Sequence, residues 1–137
     1  MTAGYSGTPL AKKLGIKPGD RVGLLGAPAG FALPDPPPGI EVRTRAQGRF
    51  AVVVSFHTRR ADLERRFPTL MDAVEVDGGL WIAWPKRSSG VATDVTEDTV
   101  REVALPTGMV DNKVCAIDDT WSGLRLVWRR DLRAGRR

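Results

Sequence analysis

Cysteine, histidine and tyrosine each occur once in the 137 residues of this chain. A single thiol, Cys115, excludes an internal disulfide framework and any multi-cysteine zinc site, so the fold has to be held by its own core. One histidine, His57, is likewise no metal site by itself. Long apolar runs are missing too. Phe50-Ala51-Val52-Val53-Val54, one of the longest, falls far short of the ~20 residues that span a bilayer. The opening residues, Met1-Thr2-Ala3-Gly4-Tyr5-Ser6-Gly7, have neither the basic start nor the apolar stretch of a secretory signal. These absences predict a cytoplasmic chain with no membrane association. What is present suits one domain: 42% hydrophobic residues can build a single core, and 27% charged residues a hydrated surface.

Charge of one sign is scarce outside one short segment. The net charge is +5, but the stretch from Arg129 to Arg137 contributes +4 of it through five arginines and one aspartate, leaving +1 for the rest. The expected organisation is therefore a near-neutral domain over residues 1–128 and a basic tail over 129–137. Arg129, Arg130, Arg133, Arg136 and Arg137 are candidate phosphate contacts for a weak, non-specific nucleic-acid interaction; a solvated, solubilising end is the simpler account.

Turn chemistry and periodicity divide the chain. Thr8 as N-cap, Pro9 at the first helical position, Leu10 and Leu14 one turn apart and Gly15 as the stop predict a short helix. Lys17-Pro18-Gly19-Asp20 is a turn leading into a strand at Arg21-Val22-Gly23-Leu24-Leu25. Pro34, Pro36, Pro37 and Pro38 then exclude any helix longer than about one turn between Phe31 and Gly39. Residues 40–45 predict an edge strand, and Phe50 to Phe56 a central strand, apolar on both faces as in parallel sheets. Only a few residues separate these two, which leaves open an irregular edge strand or an antiparallel hairpin.

Leu63, Phe67, Leu70, Met71 and Val74 fall on one face of a helix over 61–74, with Pro68 expected to kink or restart it. Gly78-Gly79 ends that connection, and Leu80 to Trp84 is the next strand, closed by Pro85. A second helix is expected to start at Asp94, with Glu97 three residues on, and to end near Pro106 and Gly108. Lys113 to Ile117 and Leu124 to Trp128 are expected to form a hairpin. This order predicts a three-layer α/β Rossmann-like fold: a mostly parallel sheet ending in an antiparallel strand pair.

Gly15-Ile16-Lys17-Pro18-Gly19-Asp20-Arg21-Val22, followed by a glycine-containing turn, resembles the opening of a class I methyltransferase. Phe50 to Ser55 resembles that family's fourth strand, Asp77 to Pro85 its fifth, and residues 113–117 and 124–128 its closing pair. The resemblance implies the methyltransferase-like fold. Three segments, Gly4 to Gly15, Trp84 to Gly90 and Lys113 to Leu124, resemble a bacterial family of short proteins catalogued as a domain of unknown function, a likeness that implies no established activity. The cofactor features of the methyltransferases are absent. Leu24-Leu25-Gly26-Ala27-Pro28-Ala29-Gly30 has no acid, carries Pro28, and runs into prolines instead of a helix. Arg43-Thr44-Arg45 stands where a ribose-binding carboxylate is expected. The expectation is a kept fold with a lost S-adenosylmethionine site and no cofactor.

In open α/β sheets ligands bind at the carboxyl ends of the strands. His57 and Thr58 lie there, as do Lys86, Arg87, Ser88 and Ser89, and Asp118 and Trp121 in the last turn. His57 suits a general base or anion donor, or else caps the next helix or fills space. Lys86-Arg87-Ser88-Ser89-Gly90 is an anion cradle or a solvated basic loop. Asp118 and Asp119 are paired carboxylates or turn formers. Trp121 packs on its own core or on a partner, and Cys115 reads as a small buried hydrophobe. No residue is assigned a catalytic role. The leading expectation is a non-catalytic binding or regulatory module acting through a protein partner or small anionic ligand. The alternatives are a reduced enzyme around His57, Lys86 and Asp118, and a nucleic-acid-associated protein using its arginine-rich end.

Overall fold

A computed structural model describes residues 8–137. The first part of the Gly4–Gly15 segment lies outside them.

Helix α1 (Leu10–Leu14) stops at Gly15, as its sequence predicts, but Pro9 occupies the cap position rather than Thr8, so the helix begins one residue later than expected. It buries Leu10, Ala11 and Leu14. Strand β1 (Arg21–Leu25) is followed by the edge strand β2 (Glu41–Arg43), and then by β3 (Phe50–Phe56), α2 (Arg60–Ala73) and β4 (Val74–Pro85). Helix α3 (Glu97–Ala104), the hairpin β5 (Met109–Ala116) and β6 (Trp121–Trp128), and the short helix α4 (Arg130–Arg133) complete the chain. The six strands form one sheet in the order β2-β1-β3-β4-β6-β5. The first four are parallel, and β6 and β5 close it antiparallel.

The placement of residues 40–45 resolves in favour of the edge strand: β2 pairs in parallel with β1 and makes no hairpin with β3. The short connection suffices because β2 is so short. Arg43 lies level with Gly23, and Val52 with Val22. Residues 44–49 therefore return only ~10 Å along the strands while crossing β1. Arg21 ties this joint together. Its guanidinium pairs with Glu41 at 2.8 Å and donates to the Arg49 carbonyl at 3.0 Å. It also stacks 4.1 Å from the centre of the Phe50 ring.

Other details differ from expectation: β5 and β6 begin at Met109 and Trp121, earlier than expected. Helix α2 runs unbroken through Pro68. The Gly78-Gly79 pair lies within a strand of twelve residues, not before one. Pairing jumps from Phe50–Val74 to Val52–Gly79. At this irregularity a Cβ on Gly78 would stand 2.5 Å from the Ala51 carbonyl oxygen, so only glycine fits. Finally, α3 is capped by Thr96, not Asp94. The Thr96 and Thr99 side chains bond each other's backbone N–H reciprocally, and this sets the later start. Asp94 serves a different helix, accepting the Arg60 N–H at the start of α2 at 2.6 Å.

The core has one part on each side of the sheet. On one face Leu63, Phe67 and Leu70 of α2 and Val100 and Ala104 of α3 pack on Phe50, Val53, Leu80 and Ile82. On the other, α1 and the loop residues Ala27, Phe31, Leu33 and Ile40 cover Val22, Leu24, Val52, Val54 and Trp81. The Trp81 indole N–H donates to the Leu14 carbonyl at 3.0 Å, fastening α1 to the sheet.

Candidate functional site

The strand order reverses between β1 and β3, the place where doubly wound sheets open a ligand crevice. Here β1 is followed by Gly26, whose φ of +68° takes the left-handed turn and whose missing Cβ keeps clear of the Phe56 carbonyl. The chain then brings Phe31 back onto Phe56, ring centroids 5.1 Å apart, and Phe56 meets Trp121 edge-on at the same separation. Three aromatic rings thus run across the carboxyl edge. Trp121, at one end of this file, is buried within its own chain's core.

His57 follows β3 directly, and its side chain lies beneath α2, only 2% exposed. Nδ1 is 2.8 Å from the Asp62 carboxylate in the first turn of α2, and Nε2 is 2.7 Å from the Ser55 hydroxyl. Because an ionised carboxylate only accepts, Nδ1–H donates to Asp62 and Nε2 receives the Ser55 proton. Burial holds the imidazole below its usual pKa, with the Asp62 carboxylate pulling the other way. The sequence Ser55–His57–Asp62 has the connectivity of a nucleophile, base and orienting acid. Its hydroxyl, however, belongs to a serine 1% exposed in the middle of the sheet, so no substrate carbonyl can reach it. The chain of bonds joins β3 to the start of α2. Periodicity gave no sign of it, since Asp62 reads from sequence as a surface residue of an amphipathic helix.

The other site residues gather one step further along the edge. Lys86 donates its N–H to the Thr120 carbonyl at 2.7 Å, which joins the turn after β4 to the β5–β6 turn. Arg87–Ser89 is a single 3-10 turn ending at Gly90. The Ser89 hydroxyl donates to the Lys86 carbonyl at 2.6 Å and accepts from Val91 N–H at 3.2 Å, so it is spent within the loop. Asp118 accepts the N–H groups of Thr120 and Trp121, both at 2.8 Å, and so acts as a turn former. Arg87 and Ser88 are exposed and Lys86 half-buried. Thr58 contributes its carbonyl to Thr93 and Asp94. The structure therefore brings Lys86, Arg87, Ser88, Ser89, Asp118 and Trp121 together and leaves His57 sealed apart.

A cleft that residue-by-residue reading missed opens beside this turn. Trp84, Pro85, Arg87, Val91, Thr93 and Val95 line it, and its volume is about 510 Å³. Its one sequence signal is Val91-Ala92, an apolar pair inside an otherwise polar loop. Among the described residues no cluster of histidine, cysteine, aspartate or glutamate is arranged to hold a metal. Cys115 is half-buried, and burial pushes its thiol up, against the pull of Lys13 and Lys113.

The arginine-rich end lies against the body. Arg136 stacks 3.9 Å over Trp128 and pairs with Asp72 at 2.9 Å. Arg137 grips Asp77 with two bonds of 2.8 and 3.0 Å, Arg133 donates to the Trp128 carbonyl, and Arg129 pairs with Asp131. Arg130, at the start of α4, is exposed.

No helix among the described residues is long and apolar enough to cross a membrane. No family model and no curated protein matches the chain. Solved structures do match. A SAM-dependent methyltransferase from Aquifex aeolicus superposes with a TM-score of 0.61 at 14% identity, over 85% of this chain and 86% of that one. A TehB-like SAM-dependent methyltransferase from Corynebacterium glutamicum gives 0.57 at 12% identity, over 93% and 91%. The magnesium protoporphyrin IX methyltransferase of Synechocystis, solved with bound SAM, gives 0.55 at 13% identity, over 82% and 71%. Identities this low carry the fold and nothing finer. The chain has the Rossmann-like fold of the class I SAM-dependent methyltransferases, a six-stranded mixed sheet closed by the antiparallel β4-β6-β5 end.

Proposed function

We propose that this chain is a non-catalytic binding or regulatory module on a methyltransferase-like fold, that its S-adenosylmethionine site has been lost, and that it acts through a small anionic ligand or a protein partner. The observation that carries the reading is the connection from β1 to β2. Residues 26–40 hold no helix, bear Pro28 in the glycine turn, and return Phe31 onto Phe56. Donors for a nucleotide cofactor come from glycine-loop amides and a helix N-terminus; this connection supplies proline and an aromatic ring instead. Arg43, not a carboxylate, ends β2. The residues present do not fit the cofactor. The likeness to the bacterial short-protein family, at Trp84 to Gly90 and Lys113 to Leu124, agrees with this reading and adds no activity. The reduced-enzyme alternative loses support because His57 and Ser55 are closed to solvent. The nucleic-acid alternative loses support because Arg133, Arg136 and Arg137 bond within the chain.

Calorimetric titration with S-adenosylmethionine at up to millimolar concentration is expected to show no saturable heat. A micromolar dissociation constant overturns the reading.

A further inference from the structure

We infer that the cleft at the carboxyl end of β4 binds a small amphipathic organic anion, its flat apolar body against Trp84 and its charged group on Arg87. The inference rests on the binding-module reading and gives it a site and a ligand class. The cleft has the size of a small-molecule site. Trp84, Pro85, Val91 and Val95 form the apolar half of its walls, and Arg87 is its one charged lining residue.

The polar groups of the walls are already engaged. The Thr93 hydroxyl donates to the Thr58 carbonyl and accepts from Val95 N–H, and the Thr96 hydroxyl caps α3. The later turn amides are spent as well. Ser89 N–H bonds the Lys86 carbonyl, Gly90 N–H the Arg87 carbonyl, and Val91 N–H the Ser89 hydroxyl. The amides of Ser89, Gly90 and Val91 thus add no donor for a bare phosphate. Affinity must then come from apolar contact, with orientation from a cation.

That cation is available. Among the described residues neither Arg87 nor Lys86 makes an ion pair, and neither does Arg59 in the adjoining groove, which shares Ala92 and Thr93 with the cleft. The nearby Asp94 carboxylate is committed to the start of α2. Arg87 in the cleft and Arg59 in the adjoining groove stand against the one Asp94 carboxylate, an excess of positive charge that favours an anion. Both rims are pinned by the hydrogen bonds above, yet they hold Val91 43% exposed and Ala92 in water. A ligand that covers them recovers their burial without reordering the loop.

The test uses anilinonaphthalene sulfonate as the probe, with fluorescence titration and the tryptophan indole N–H resonances of the full chain. Wild type is expected to bind it at one saturable site, moving the Trp84 resonance, assigned with Trp84→Phe, while the Trp128 resonance stays. Arg87→Gln should keep its melting temperature, since Arg87 is exposed and unpaired, and weaken binding about tenfold. Naphthalene sulfonate should compete, while uncharged naphthalene methanol should compete about tenfold less well and millimolar phosphate not at all. Ala92→Phe should fill the cleft and abolish binding; if that variant fails to fold, Arg87→Gln decides. Unchanged affinity in Arg87→Gln, equal competition by phosphate, or shifts confined to other tryptophans overturns the inference. These outcomes are independent of the S-adenosylmethionine titration. Cofactor binding there defeats the loss of the methyltransferase site, whereas failure here defeats only the cleft.

Discussion

Removing the hydroxyl of Ser55 should destabilise this protein far more than a serine-to-alanine change does at a surface. Ser55 and His57 are 1% and 2% exposed, so each is the other's only access to a hydrogen bond on that side. Ser55→Ala leaves Nε2 of a buried imidazole unpaired, at a cost of about 1–3 kcal/mol. His57→Ala leaves the Ser55 hydroxyl unpaired and adds a cavity, about 3–4 kcal/mol together. Joint replacement by Ser55→Ala and His57→Ala removes both buried polar ends and should cost about 1–2 kcal/mol less than the sum of the single changes. Asp62, a third exposed, keeps Arg65 at 2.6 Å and water.

Urea unfolding of the four proteins measures the cycle, and about 3 °C in melting temperature per kcal/mol provides the cross-check. The pH dependence has a fixed sign. The folded imidazole is held below its ordinary value by burial, so the unfolded chain takes up the proton first as pH falls through about 6.5. Stability is therefore full above that pH and declines below it, and a His57→Leu variant should lack this decline. Additive single costs, or a Ser55→Ala cost under about 0.5 kcal/mol, would refute the buried chain of bonds.

Gly78→Ala should lower stability by about 1–3 kcal/mol, because the new methyl meets a strand carbonyl that cannot move without breaking β3–β4 pairing. Gly90→Ala, with nothing within 4 Å of the new carbon, should cost only the left-handed backbone, about 1 kcal/mol, and thermal melts compare the two. Deleting residues 129–137 should lower the melting temperature by several degrees by uncovering Trp128, now 3% exposed. It should also leave binding to random-sequence DNA at moderate salt essentially unchanged if the arginines stay engaged as described; a large loss of DNA affinity would restore the nucleic-acid reading.

Much of the architecture was determined by sequence alone. Four prolines crowded between Pro34 and Pro38 leave no room for a helix of more than about one turn, and the β-branched run at Phe50 to Phe56 buries both faces as strands of parallel sheets do. Such signals are local, so they survive without knowledge of neighbours. Tertiary structure decided what depends on a partner distant in sequence. Asp94 looked like the cap of the helix that follows it and instead caps α2, because Arg60 reaches it across 34 residues. Thr96, two residues on, made the later start possible. The arginines after Trp128 read as a free tail because their partners, Asp72 and Asp77, belong to α2 and β4. His57 was placed at the right strand end, yet whether its ring faced solvent or the underside of α2 rested on Ser55 and Asp62, one in the sheet and one in the helix. Charge and periodicity say which residues are polar; only packing says which of them water can reach.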